Sequence, residues 1–231
     1  MSRDGRSARK GAPRRTAQIA KRGTHSTRGW GAPRVPGMDM RRMESGIREF
    51  LEAARGALKG DLRRTPARAA RAWKEDLLSG YAEDPARILV PLRESASHDL
   101  IAIRDLDFIS VCPHHLLPFS GKVHLAYLPD GRIVGVSRLA RLVRSLSRRL
   151  QIQESLTRQI TAALDEHLHP RGSACVVEAT HLCMTARGRR AVQGTVVTSA
   201  FSGCYEIDAR SRAEVLSLLG LARRPGARRI G

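Results

Sequence analysis

At 231 residues, with 42% of them hydrophobic, the chain has room for one well-buried domain plus extensions, or two small domains at most. No apolar run reaches the roughly 18 residues of a membrane-spanning helix, which excludes an integral helical membrane protein. The formal charge of +19 suggests nucleic acid until its distribution is read: residues 1–40 hold ten Lys/Arg against Asp4 and Asp39, and the last eleven residues add Arg223, Arg224, Arg228 and Arg229, so only about +7 belongs to the body. Five of the 41 basic residues are lysines, an arginine bias that coding-DNA composition explains as readily as polyanion binding by the tails. The excess in the body suits an anionic small substrate. Cys112, Cys175, Cys183 and Cys204 are too few and too scattered for a disulfide scaffold. They point to a reducing, cytoplasmic setting, where clustered Cys and His serve as metal ligands.

In chain order, residues 1–37 are rich in Gly, Pro, Arg and Ser without a period, and read as a disordered basic extension with no secretory apolar stretch. A helix is predicted from Asp39 to about Leu58, with Met43, Ile47, Phe50, Leu51 and Ala54 at helical spacing. Thr65-Pro66 fits an N-cap followed by proline at the first helical position of a second helix, ending at Gly80. Alternation from Asp99 to Val111 predicts a strand. Lys122–Leu128, Pro129-Asp130-Gly131 and Arg132–Val136 together predict a hairpin. Ser137 is placed to cap a helix with Leu139, Leu142, Val143, Leu146 and Leu150 in a stripe, and another follows with Ile152, Leu156, Ile160, Leu164 and Leu168 on one face. Strands are predicted over Ser173–Met184 and Thr195–Phe201, and a closing helix over Arg210–Leu219. Strands and helices segregate, so the expected class is α+β: an antiparallel sheet with helices on one face, preceded by an N-terminal helical pair. The folded domain is expected over 38–220, with a basic C-terminal tail at 221–231.

Two short segments carry chemistry. Val111-Cys112-Pro113-His114-His115-Leu116-Leu117-Pro118-Phe119 leaves a strand and turns, and Cys112 and His115, three apart, can reach one metal while the adjacent His114 diverges toward a cavity. Some seventy residues on, Thr180-His181-Leu182-Cys183-Met184-Thr185-Ala186-Arg187, if a strand, puts His181, Cys183, Thr185 and Arg187 on one face. Cys112, His115 and Cys183 make a catalytic zinc set with a fourth position left for water, whose pKa zinc lowers to around 7. From spacing alone two other readings stand beside it. His181 or His114 could be a fourth ligand closing a structural site, or the cysteines could be buried thiols and the histidines merely hydrogen-bonded. Cys175 and Cys204 read as small core residues, and His124, His167 and His169 as structural or solvated.

The block from Ser110 to Arg187 resembles GTP cyclohydrolase I. The likeness runs through the Cys-x-His-His-Leu-x-Pro-Phe turn, Gly121-Lys122-Val123-His124, Tyr127-Leu128-Pro129 and Ser137-Arg138-Leu139-Ala140-Arg141. It continues in Arg149-Leu150-Gln151-x-Gln153-Glu154-x-Leu156-Thr157, His181-x-Cys183-Met184 and Arg187-Gly188. Thr65-Pro66-x-Arg68 upstream, and Thr198-Ser199 with Gly203 downstream, extend it from about Met38 to Leu219. The resemblance implies the tunnelling fold, a catalytic domain over 38–220, and Zn2+ held by Cys112, His115 and Cys183, with His114 and His181 as catalytic histidines. It implies that Glu154, beside Gln153, grips the guanine edge, and that Ser137, Arg138, Arg141, Arg187, Arg68 and Arg71 bind the triphosphate. Arginine forks and a helix N-terminus at Arg138 suit phosphate, whereas Arg144 and Arg148 read as a solvated face. The implied reaction opens the imidazole ring of GTP to give 7,8-dihydroneopterin triphosphate and formate, in a homo-oligomer that is a decamer in the family.

The sequence departs from the family pattern at Pro113, where glutamate is usual, at Arg138, where lysine is usual, and at Arg189 and Arg190. Proline fixes its own φ and restricts Cys112, which stiffens the metal turn. Two other classes of function are therefore weighed: a divergent paralogue acting on another purine nucleotide, and a non-catalytic tunnelling-fold protein binding nucleic acid through its tails. A thiol-nucleophile reductase on the same fold is disfavoured by the complete metal set.

Overall fold

The computed structural model describes residues 37–92, 99–186 and 192–221. The expected basic extensions at 1–37 and 221–231, apart from Gly37 and Leu221, and the anion-binding candidate Arg187 lie outside them. Helix α1 (Met40–Arg55) begins where the Asp39 carboxylate accepts from the backbone N–H groups of Arg41 and Arg42, and stops at Gly56, whose φ of +84° favours glycine. None of its residues is buried, and Phe50 on its apolar stripe is 69% exposed. Helix α2 (Thr65–Ala72) carries Pro66 in its first turn as expected, but Thr65 is not its cap. A tight turn over Gly60–Arg64 runs straight into it, so Thr65 already has helical φ/ψ and the capping position falls to Arg64. A wide π turn (Trp73–Leu77), a tight turn (Ser79–Ala82) and the short α3 (Pro85–Ile88) follow.

Four strands, β1 (Ile101–Val111), β2 (Pro118–Leu128), β3 (Gly172–His181) and β4 (Val196–Phe201), form one antiparallel sheet in sequence order. Residues 132–135, expected to pair back onto β2, do not form a strand. Both edges of β2 are taken, by β1 from Val111↔Pro118 to Ile101↔Tyr127 and by β3 from Phe119↔His181 to Leu128↔Gly172. The segment leaves the sheet instead, held by the Val134 N–H donating to the Tyr127 hydroxyl at 3.2 Å. The hairpin that does form is β1–β2, and its turn is the Cys112–Leu117 segment. Strand β3 is shorter than alternation suggested, because its pairing with β2 ends at Phe119↔His181. The next residue of β2 outward is Pro118, which has no N–H to offer a neighbour.

Helices α4 (Val136–Ser147) and α5 (Gln153–Leu168) cover one face of the sheet. Their stripes were legible: Leu139, Leu142, Leu156, Ile160, Leu164 and Leu168 are all fully buried, each contributing about 1.5–3 kcal/mol against exposure. They meet Val123, Leu125, Tyr127, Cys175 and Val177 from the strands. Ser137 lies inside α4 rather than capping it, since Gly135 is the N-cap, and Leu150 lies beyond the helix, bridged to Val111. The closing helix α8 (Ala209–Leu218), after the short α7 (Cys204–Ile207), adds a second small cluster in which Val215, Leu219 and Tyr205 meet Ala126 and Ala174 on the sheet's other side. Asp208 caps it. A bulge in β1 between Ile103 and Leu106, with Asp105 at φ +59°, is pinned by the buried His124, whose Nδ1 accepts from the Asp105 N–H. That gives His124 its structural role.

The segment around Gly80 is clamped to α4. Arg149, buried between them, donates to the carbonyls of Gly80, Ser145 and Glu83 and lies over the Tyr81 ring, and burial lowers its pKa. Gly80 admits this contact because a Cβ there would come within 1.9 Å of the Ser145 carbonyl oxygen. Gly80→Ala is expected to destabilise the protein by about 2 kcal/mol or more, since neither backbone can give way, read as a lowered denaturant midpoint. At the far end of α5, the half-buried Asp165 accepts from Ser173 and Ser202 at 2.8 Å, and burial raises its pKa in spite of those donors. A raised folded pKa contributes stability that is complete below the unfolded value and is lost as pH rises through the folded one. The stability of Asp165→Asn relative to the wild type should therefore be greater at pH 7 than at pH 4, read from denaturation curves at both.

Candidate metal centre and active site

The β1–β2 turn is closed twice, by the Cys112 N–H donating to the Leu117 carbonyl at 3.0 Å and the Leu116 N–H donating to the Cys112 carbonyl at 2.9 Å. Leu116 takes a left-handed φ of +54° to end this single helical turn. Pro113 sits at its first position, where a missing N–H costs nothing and a φ near −65° is already correct, so the departure from glutamate is compatible with the turn. The helical turn brings Cys112 and His115 to one side. Cys183 arrives from another direction. After His181 the chain does not continue as a strand but turns helically over α6 (Leu182–Thr185), with the Thr185 hydroxyl donating to the His181 carbonyl. The expected row of His181, Cys183, Thr185 and Arg187 on one strand face is thus corrected; the turn itself swings Cys183 toward Cys112 and His115.

The ligand atoms of Cys112, His115 and Cys183 lie within 4.8 Å of one another, and among the described residues they form the one such cluster. Two sulfurs and an imidazole nitrogen suit zinc, whose tetrahedral bonds run about 2.0–2.3 Å. None of the four cysteines is in a disulfide, and Cys175 is a fully buried core residue whose thiol pKa is pushed up by burial. His114 and His181 stand outside the cluster, so the donor set stays at three. His114 diverges from His115, the rings crossing at 73°, and its Nδ1 lies 3.7 Å from the Cys112 sulfur. His181 stacks flat on Phe119, its partner in the last sheet pair, with centroids 4.5 Å apart and planes 3° apart, and its Nε2 lies 2.7 Å from Gln153 Oε1. Burial lowers the His181 pKa, opposed by the Glu154 carboxylate. The three cluster residues, His114, His181, Gln153 and Glu154, with Gln151 and Met184, line a cavity of about 260 Å³.

A family model for GTP cyclohydrolase I matches residues 43–220. The chain belongs to the GTP cyclohydrolase I family. It is similar to the GTP cyclohydrolase 1 of Rhodopirellula baltica, 45% identical over 186 residues that cover 80% of this chain and 81% of that protein. The protein of the same name from Wolinella succinogenes is 46% identical over 153 residues, 66% of this chain and 81% of that one. For Campylobacter lari the figures are 41% over 184 residues, 79% and 96%. The metal cluster and the two histidines beside it therefore sit within the matched region.

The anion-binding candidates lie elsewhere on the chain. Ser137 and Arg141 line a groove of about 510 Å³ between α4 and β1, with Asp107 and Ile109 opposite. Arg141 Nε donates to Glu83 at 2.9 Å, and Arg138 donates to the Ile88 carbonyl. Arg68 and Arg71 are exposed on α2 and line a further depression with Arg63, Arg64, Glu75 and Asp76. The metal cavity shares no lining residue with either. Arg144 and Arg148, read from sequence as a solvated face, line the same groove as Arg141, and Arg148 also donates to the Asp76 carbonyl. The spacing 137, 141, 144, 148 was the signal, since it marks a single helical face. Phe119, to which the sequence reading gave no role, is the ring that sets the plane of His181. Among the described residues no helix is long and apolar enough to cross a membrane. Protein purified in zinc is expected to carry about one ion per chain, and Cys112→Ala or Cys183→Ala almost none, because removing one of three protein ligands leaves no compensating donor; elemental analysis after dialysis measures it.

Proposed function

We propose that the chain catalyses hydrolytic opening of the guanine imidazole ring of GTP, yielding formate and 7,8-dihydroneopterin triphosphate, the first step of folate and tetrahydropterin biosynthesis. The observation that carries this reading is the three-donor cluster of Cys112, His115 and Cys183, flanked by two histidines that it does not use, in a chain of this family. Zinc held there by Cys112, His115 and Cys183 would supply Lewis-acid activation of water at neutral pH. The remaining work falls to side chains. His114 and His181 carry protons: one is delivered to N7 as water adds to C8, and one to N9 as the C8 hydroxyl gives up its proton and the C8–N9 bond breaks. A second water then adds to the formyl carbon, a further proton goes to N7 as the C8–N7 bond breaks, and C8 leaves as formate. The ribose then rearranges and closes onto the freed nitrogen with loss of water. Glu154, exposed in the first turn of α5, accepts from the N–H edge of guanine, a pattern adenine does not offer. Ser137, Arg138 and Arg141, with Arg68, Arg71 and Arg187, hold the triphosphate, and Gln153 lines the metal cavity beside Glu154.

The active form is a homo-oligomer, a decamer on the family's pattern, in which the groove of one subunit completes the metal cavity of another. Two features support this: cavity and groove share no lining residue, and α1 offers an apolar stripe, Phe50 included, without a buried residue. A cytoplasmic location agrees with cysteines poised to bind metal rather than cross-link, and the basic tails need no nucleic-acid partner for this chemistry. Zinc-loaded protein given GTP should release formate and a pterin that fluoresces after oxidation in equal amounts. His114→Ala and His181→Ala should lower kcat about 10²–10⁴-fold while zinc content holds. Zinc-loaded wild-type protein that forms neither product would sink the reading.

A further inference from the structure

We propose that Gln153 is a positioning residue, whose side chain holds neutral His181 with its proton on Nε2 and so leaves Nδ1 as the nitrogen through which His181 exchanges protons with the substrate. The assignment follows from the direction of a hydrogen-bond circuit. The Thr157 hydroxyl lies within donating distance of the Gln153 backbone carbonyl, at 2.8 Å. The Thr157 and Thr198 hydroxyls lie 2.6 Å apart, and either can donate to the other. Thr198 Oγ1 accepts from Gln153 Nε2 at 3.2 Å, since an amide nitrogen has no acceptor to offer it. The same Nε2 donates to the backbone carbonyls of Val177 and Val196, both at 3.0 Å.

Every neighbour of that amide nitrogen is therefore an acceptor. Turning the amide over would set its oxygen against two carbonyl oxygens in a site where Gln153 is only 1% exposed, leaving buried groups unpaired at about 1–3 kcal/mol each. The orientation is fixed, and Oε1 faces His181 Nε2 at 2.7 Å. An amide oxygen cannot donate, so the proton belongs to the imidazole. Stacking on Phe119 fixes the plane of the ring but not which edge faces inward; Gln153 decides the edge.

The role assigned to Gln153 differs from a substrate contact. Its amide hydrogens are engaged by β3 and β4, and its oxygen by His181, which leaves nothing for guanine. The catalytic consequence rests on the function proposed above, but the protonated nitrogen can be measured without turnover. In zinc-loaded full-length protein labelled with 15N-histidine, solid-state NMR should show His181, assigned by its absence from His181→Asn, protonated at Nε2 and bare at Nδ1. Gln153→Met, similar in length but without the acceptor, should give a mixture of the two tautomers. It should also lower kcat about 10²-fold, the cost of a misplaced catalytic group, with KM for GTP changed less than about twofold. A wild-type signal for protonated Nδ1 would overturn the proposal, and so would a Gln153→Met enzyme with raised KM, unchanged kcat and an unmixed tautomer. Should the variant fail to fold, the wild-type spectrum decides alone, and a wild type inactive on GTP would count against the function and not against the tautomer.

Discussion

The site hangs from the last rung of the β2–β3 ladder, where Phe119 faces His181. Up to that rung both strands are held by alternating backbone bonds and a buried face. Beyond it β2 runs out at Pro118, and each chain is released into a turn. One turn is the β1–β2 connection with Cys112 and His115; the other is α6 with Cys183. Because both begin at the same end of the same pair of strands, ligands some seventy residues apart reach one ion with little backbone freedom left to lose. A rung more or less would carry Cys183 out of reach.

The buried end of α5 is the second support of that geometry. Gln153 is hydrogen-bonded to β3 and β4, so the helix that packs the core also sets the ring that borders the cavity. A buried network of this kind is unforgiving, since each unmet donor or acceptor costs more than a met one contributes. The arginines show a similar division. Arg149, desolvated and bound to three carbonyls, belongs to the scaffold, whereas Arg141, Arg144 and Arg148 line a solvent-facing groove where an anion can reach them. Residue type alone does not separate the two roles; burial does.

Periodicity read the helices well because apolar stripes such as Leu156, Ile160, Leu164 and Leu168 report burial directly. It failed where pairing decides. Arg132–Val136 has strand composition behind good turn chemistry, yet β2 had no free edge to receive it. Leu182–Met184 alternates like a strand but lies past the last β2–β3 pair, and turns helically instead. Thr65 looks like a cap, but a preceding tight turn had already made it helical. Each miss has the same origin: local sequence states what a segment can do, while the neighbours determine what it does.

The sequence by itself determined the zinc ligands' identities, the pair of histidines beside them and, through several motifs in order, the family, because side-chain chemistry and spacing are properties of the chain. Only the tertiary structure decided that the donor set stops at three, that Pro113 sits where proline suits the turn, and that Gln153 faces His181 instead of the solvent. Those outcomes depend on directions in space, on which edge of a strand is taken and which amide proton already has an acceptor, and no spacing along the chain encodes them.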